Sequence, residues 1–136
     1  MGASGVGQFE NDAAADWLFD LESEGIDAVR AALSRAVEPE SLDANEASGV
    51  LAAAAVVASA RDGSRAGLPR MAVAWLEDHQ REITEDDMEQ AARAVLRVVG
   101  DSELSELWRE ANSEGWSAVV QDLRNRLPSG AEERDA

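Results

Sequence analysis

Aspartates recur at every fourth position near the start of the chain, Asp12, Asp16 and Asp20, and Glu24 continues the row. On a helix that spacing aligns the carboxylates along one face. A hard divalent cation such as Mg²⁺ or Ca²⁺ takes carboxylate oxygens, so Asp12, Asp16 and Asp20 are a possible metal site. It would need further ligands from a second element. The simpler reading is a solvated face, because neighbouring carboxylates on one helix repel by only a few tenths of a kcal/mol. A third use is docking on a basic partner. Glu85, Asp86 and Glu89 would then join Asp12, Asp16, Asp20 and Glu24, if folding brings the two sets onto one surface.

His79, beside Asp78, is the one histidine of the chain, and cysteine is absent. A lone imidazole with no thiol leaves no transition-metal site and no Cys–His pair. A Ser-His-Asp arrangement would need a nucleophile that nothing here advertises. The end of a helix, where a cation is favoured, accounts for His79. No catalytic residue is assigned and no cofactor is expected.

The elements that position these groups are helices throughout. No run alternates apolar and polar residues as a half-buried strand would, and tyrosine is missing. The spacing predicts a first helix from about Asn11 to Leu21, capped by Asn11 or Asp12, with Ala14, Trp17, Leu18 and Leu21 on its apolar face. Gly25 ends it. A second, from Ile26 to Ala36, gathers Ile26, Val29, Ala32 and Leu33, and Pro39 closes the linker after it. A third starts near Asp43, where Asp43 and Glu46 have capping-box spacing, and reaches Arg61. Its stretch from Val50 to Ala60 is apolar nearly all round, so it must be surrounded by other helices.

Residues 62–67 form a flexible connection. Pro69 then opens a fourth helix, Arg70 to His79, with Met71, Ala74, Trp75 and Leu76 inward. Thr84, followed by Glu85, Asp86 and Asp87, starts a fifth, which ends at Gly100. Its expected stripe is Met88, Ala91, Ala92, Val95, Leu96 and Val99. A sixth starts at Asp101 or Ser102 with Leu104, Leu107, Trp108 and Ala111 inward, and Gly115 interrupts it. A last helix, Trp116 to Leu127, stops at Pro128. The fold class is therefore all-α, a single-domain bundle of six or seven helices around the Val50–Ala60 segment, spanning 1–128, with a disordered tail over 129–136.

Composition narrows the function. The 28 acidic residues outnumber the 12 basic ones, all arginine, for a formal net charge of −16. Without a basic patch, nucleic acid is not expected as a ligand. The acidity serves solubility, or it docks a basic protein. No charged-then-apolar leader opens the chain, and the most apolar run is about half the roughly 20 residues a bilayer span needs. The expectation is a cytoplasmic protein without a membrane segment.

The N-terminal segment Gly2-Ala3-Ser4-Gly5-Val6-Gly7-Gln8-Phe9-Glu10-Asn11-Asp12, followed by Ala15-Asp16-Trp17, has a structural and a ligand-binding reading. Gly5 and Gly7 permit a tight path against the helix that Asn11 and Asp12 begin, with Phe9 and Trp17 as apolar anchors. The same glycines and free amides would suit a phosphate. No strand precedes them and no lysine follows, however, and Glu10, Asp12 and Asp16 would repel an anion. Structural anchoring is preferred. This pattern resembles a bacterial family known as domain of unknown function 4259, whose members open with a glycine-punctuated segment, then Phe-Glu-Asn-Asp, then Asp-Trp and a leucine. Ser4 departs from the tryptophan that relatives often carry there. The resemblance implies a helical fold and no particular activity.

The four tryptophans, Trp17, Trp75, Trp108 and Trp116, all fall on apolar stripes and are expected in the core. The functional expectation is a non-catalytic protein that binds another protein, as an immunity-type or regulatory inhibitor. The alternative is a small divalent-cation-dependent enzyme or ligand-binding protein using Asp12, Asp16 and Asp20.

Overall fold

The computed structural model describes residues 12–37, 42–64, 68–100, 109–110 and 114–127, leaving out the side chains of residues 12, 37 and 114–117. The described residues form six α-helices and one 3₁₀ turn: α1 (Asp12–Glu24), α2 (Ile26–Val37), α3 (Ala44–Asp62), α4 (Arg70–His79), the 3₁₀ turn (Gln80–Glu82), α5 (Glu85–Gly100) and α6 (Glu114–Arg126). Arg109 and Glu110 are helical too, and no strand occurs among the described residues. The Gly5, Gly7, Phe9 and Asn11 segment, the Pro39 linker, Trp108 with most of the helix expected from Asp101, and the 129–136 tail lie outside the described residues. So do the side chains of Asp12 and Trp116.

The organising element is α3. Every residue from Val50 to Ala60 is buried, because alanine and valine on all sides allow neighbouring helices to approach closely. Helices α1, α2, α4, α5 and α6 all pack on it, and α2 and α5 also pack on each other. Asp43 begins α3 as expected: its side chain accepts the Glu46 amide at 2.7 Å, while Glu46 Oε1 accepts the Asp43 amide at 3.2 Å. At the other end Gly63 takes φ of 78°, and its N–H donates to the Ser59 carbonyl. That left-handed conformation is cheap only for glycine. Gly25, at φ 65°, ends α1 in the same way.

Three expectations change. The buried stripe of α5 is Asp87, Ala91, Ala94, Val95 and Val98, with Met88, Ala92 and Val99 partly buried against the core, so the stripe is shifted from the predicted one. Leu96 is left 50 % exposed. Ala94 and Val98 are buried in its place, on a helix that packs against α3 and α2. In α4, Trp75 and Leu76 are buried while Ala74 faces out. Gly115, expected to interrupt the preceding helix, lies inside the first turn of α6.

Candidate functional site

Between α1, α2 and the first turns of α3 lies an open cleft of about 490 Å³. Helix α1 supplies one wall with Ala13, Asp16, Trp17, Asp20 and Glu24. Helix α2 faces it with Ala28, Ala31, Ala32 and Arg35, and Asn45, Glu46 and Gly49 of α3 close the base. Three of the four residues that α2 contributes are alanines, which leave space that larger side chains would fill. Trp17 fixes the separation of the walls: its ring is buried against the core, and its Nε1–H donates to the Ala28 carbonyl at 3.4 Å.

The charges of the cleft are one-sided. Arg35 is the single basic residue of the lining, and it is committed to Glu46, with Nε on Oε2 at 2.8 Å and Nη2 on Oε1 at 3.0 Å. Asp16, Asp20 and Glu24 are exposed, and none makes an ion pair among the described residues. The four-residue spacing seen in the sequence thus places three carboxylates along the mouth of a groove whose floor is alanine, glycine and tryptophan.

The acids of the fifth helix do not line this groove. Glu85 and Asp86 are exposed at the start of α5, and Glu89 sits 4.0 Å from Arg93 on its own helix. Helix α1 packs on α2, α3 and α4, and α5 packs on α2, α3 and α6. Among the described residues no group of three acids or histidines is arranged to hold a metal ion. His79 lies at the end of α4, stacked on Trp75 with ring centroids 4.9 Å apart, and its Nδ1 is 2.8 Å from Glu82 Oε2. Each partner of that imidazole is structural.

Sequence reasoning missed the most buried charge. Asp87, read as one of three acids at a helix start, is buried. Its carboxylate accepts Arg30 Nε and Nη2, both at 3.1 Å, and the Thr84 amide at 3.0 Å, while Thr84 Oγ1 accepts the Asp87 amide at 3.2 Å. Arg30 Nη2 also donates to the Glu82 carbonyl. Burial alone would raise the Asp87 carboxyl, but the Arg30 guanidinium and the Thr84 donors outweigh it and hold it below the usual range. The signal was the Thr84-x-x-Asp87 spacing of a capping box.

One pattern joins the two caps. In α3 the N3 carboxylate, Glu46, is held by Arg35, and in α5 the N3 carboxylate, Asp87, is held by Arg30. A single short helix, α2, therefore clamps the first turns of two others. A third pair does the same at the opposite end, where Arg126 of α6 binds Asp62 at 2.7 Å and Ser59 Oγ at 3.3 Å. That arginine lowers the Asp62 carboxyl.

Comparison with known proteins gives one result. The family model described as Domain of unknown function (DUF4259) matches residues 2–119, and the chain belongs to that family. No curated protein and no solved structure matches it. No helix among the described residues is long and apolar enough to cross a membrane.

Proposed function

We propose that this chain is a non-catalytic cytoplasmic protein that binds a basic protein partner through the α1 wall of the cleft, in the manner of an immunity-type or regulatory inhibitor. Family membership assigns no activity, so the reading rests on the site. The observation that carries it is the contrast within one groove: Asp16, Asp20 and Glu24 make no ion pair among the described residues, while the one arginine of the lining, Arg35, is bound to Glu46. Uncompensated carboxylates beside an apolar floor are complementary to a cation on an apolar body. The net charge of −16 adds long-range attraction for such a partner.

The test is affinity capture at low salt with the wild-type chain and with the double variant Asp16→Arg/Asp20→Arg, followed by kinetics on the captured protein. The reading expects a basic partner that the variant does not retain. Its association rate should fall steeply once salt shortens the Debye length to about 10 Å. A partner held equally by both chains would remove this wall from the interface.

A further inference from the structure

Gly49 is the residue of the cleft that packing does not explain. It is the sixth residue of α3, inside the helix, where glycine is unfavourable relative to alanine. Its backbone is helical and needs no positive φ. A Cβ placed there would find as its nearest neighbour Trp17 Cδ1 at 4.0 Å, an ordinary contact. Among the described residues no atom excludes a Cβ at this position. What a side chain would do is occupy the floor of the cleft, since Gly49 lines it beside Trp17 and below the Asp16, Asp20 and Glu24 wall.

We propose that Gly49 keeps the floor open for an arginine or lysine side chain presented by the protein partner. Its aliphatic stem lies over Gly49, Trp17 and the alanines of α2, and its charged head reaches the α1 carboxylates. This rests on the reading of the α1 wall as the docking surface and adds which chemistry enters the groove. Three features fit a long cationic side chain together. Trp17, Gly49 and the alanines of α2 form an apolar stretch of the lining, which suits a methylene stem. The mouth carries unpaired carboxylates on one side only. The resident cation, Arg35, is withdrawn to Glu46 and leaves those carboxylates to the incoming one. At about 490 Å³ the groove has room for such a side chain with its flanking residues.

The experiment uses the full ¹⁵N-labelled chain, titrated at low salt with a capped, arginine-bearing alanine peptide as probe and with the same peptide carrying glutamate in place of arginine. The arginine peptide should shift the Trp17 indole N–H and the Gly49, Ala31 and Ala32 amides saturably, and the glutamate peptide should not. Gly49→Ala should keep the fold with a raised melting temperature and bind at least several-fold more weakly. Gly49→Leu, which fills the floor, should abolish the shifts while Asp16 and Asp20 stay intact. Wild-type affinity in both Gly49 variants, with binding lost in Asp16→Asn/Asp20→Asn, overturns the open-floor proposal and leaves the docking wall standing. Absence of any saturable shift in the wild type overturns both, and shifts confined to the Glu85, Asp86 and Glu89 surface do the same.

Discussion

Two faces of α2 treat charge in opposite ways. Toward α3 and α5 it projects Arg35 and Arg30, each bidentate on the carboxylate of a helix cap, and Arg97 of α5 returns a hydrogen bond to the Ala36 carbonyl at 2.9 Å. Toward α1 it offers the methyl groups of Ala28, Ala31 and Ala32 beside an Arg35 already bound to Glu46, and the acids across the cleft face water. Charge on the first side is consumed by the fold. Charge on the second is left over. A protein of net charge −16 has few cations to spend, and Arg30, Arg35 and Arg126 are spent on acids at helix ends. Acids without arginines are therefore the informative ones.

The largest effect is expected at the tryptophan that joins α1 to α2 across the cleft. Trp17→Ala should cost about 3 to 5 kcal/mol, the range for removing a large buried aromatic, measured by urea unfolding. A loss below about 1 kcal/mol, less than an ordinary core truncation, would mean that the indole does not hold the walls together.

Next comes the committed side. Asp87→Ala removes the acceptor for Arg30 and the Thr84 amide, and should cost about 2 to 3 kcal/mol, as for hydrogen bonds to a charged group. Its pH dependence follows from the sign of the shift. The Asp87 and Asp62 carboxyls are both held below the ordinary value of 3.8, so their contribution is complete above that value. It is lost as pH falls from 3.8 through the lower folded values. The stability difference between wild type and Asp87→Asn should therefore be constant near neutrality and shrink below pH 3.8. A gap that widened on acidification would contradict the depressed carboxyl.

The uncommitted side should respond weakly or in the opposite direction. Gly49→Ala should stabilise the chain by roughly 0.5 to 1 kcal/mol, the usual helix-interior difference, read from thermal unfolding. Destabilisation would show that Trp17 does not accept the added methyl. The smallest effect is expected for Asp16→Asn/Asp20→Asn, where relief of repulsion amounts to a few tenths of a kcal/mol. A loss of more than about 1 kcal/mol, beyond what exposed pairs supply, would show that these acids hold the fold and would set the two faces level.

The helices were legible because their signals are local. Asp43 with Glu46, Gly25, Gly63 and Pro69 punctuate the chain where α1, α3 and α4 begin or end. The apolar Val50–Ala60 stretch identified the central element. What could not be read was which way each helix rolls. In α5, periodicity permits a stripe through Leu96 as readily as one through Ala94 and Val98. The choice is made by the small-residue surface of α3 and by Arg30, which lies 57 positions away from its Asp87 partner. The cleft was half legible: the spacing of Asp16, Asp20 and Glu24 gave its acidic wall. Its floor depends on α2 and α3 meeting α1, a long-range fact that no local pattern encodes.

The cross-helix bonds at helix ends bear on how the protein breathes. An ordinary bundle helix frays from its tips, and its first-turn amides exchange with solvent through small, independent openings. Here the first turns of α3 and α5 are both tied to the twelve-residue α2. Detachment of that one segment releases both turns together. Hydrogen exchange at the two turns should then report a single opening free energy, and Arg30→Ala should uncouple α5 from it while leaving α3 and α2 moving as a unit.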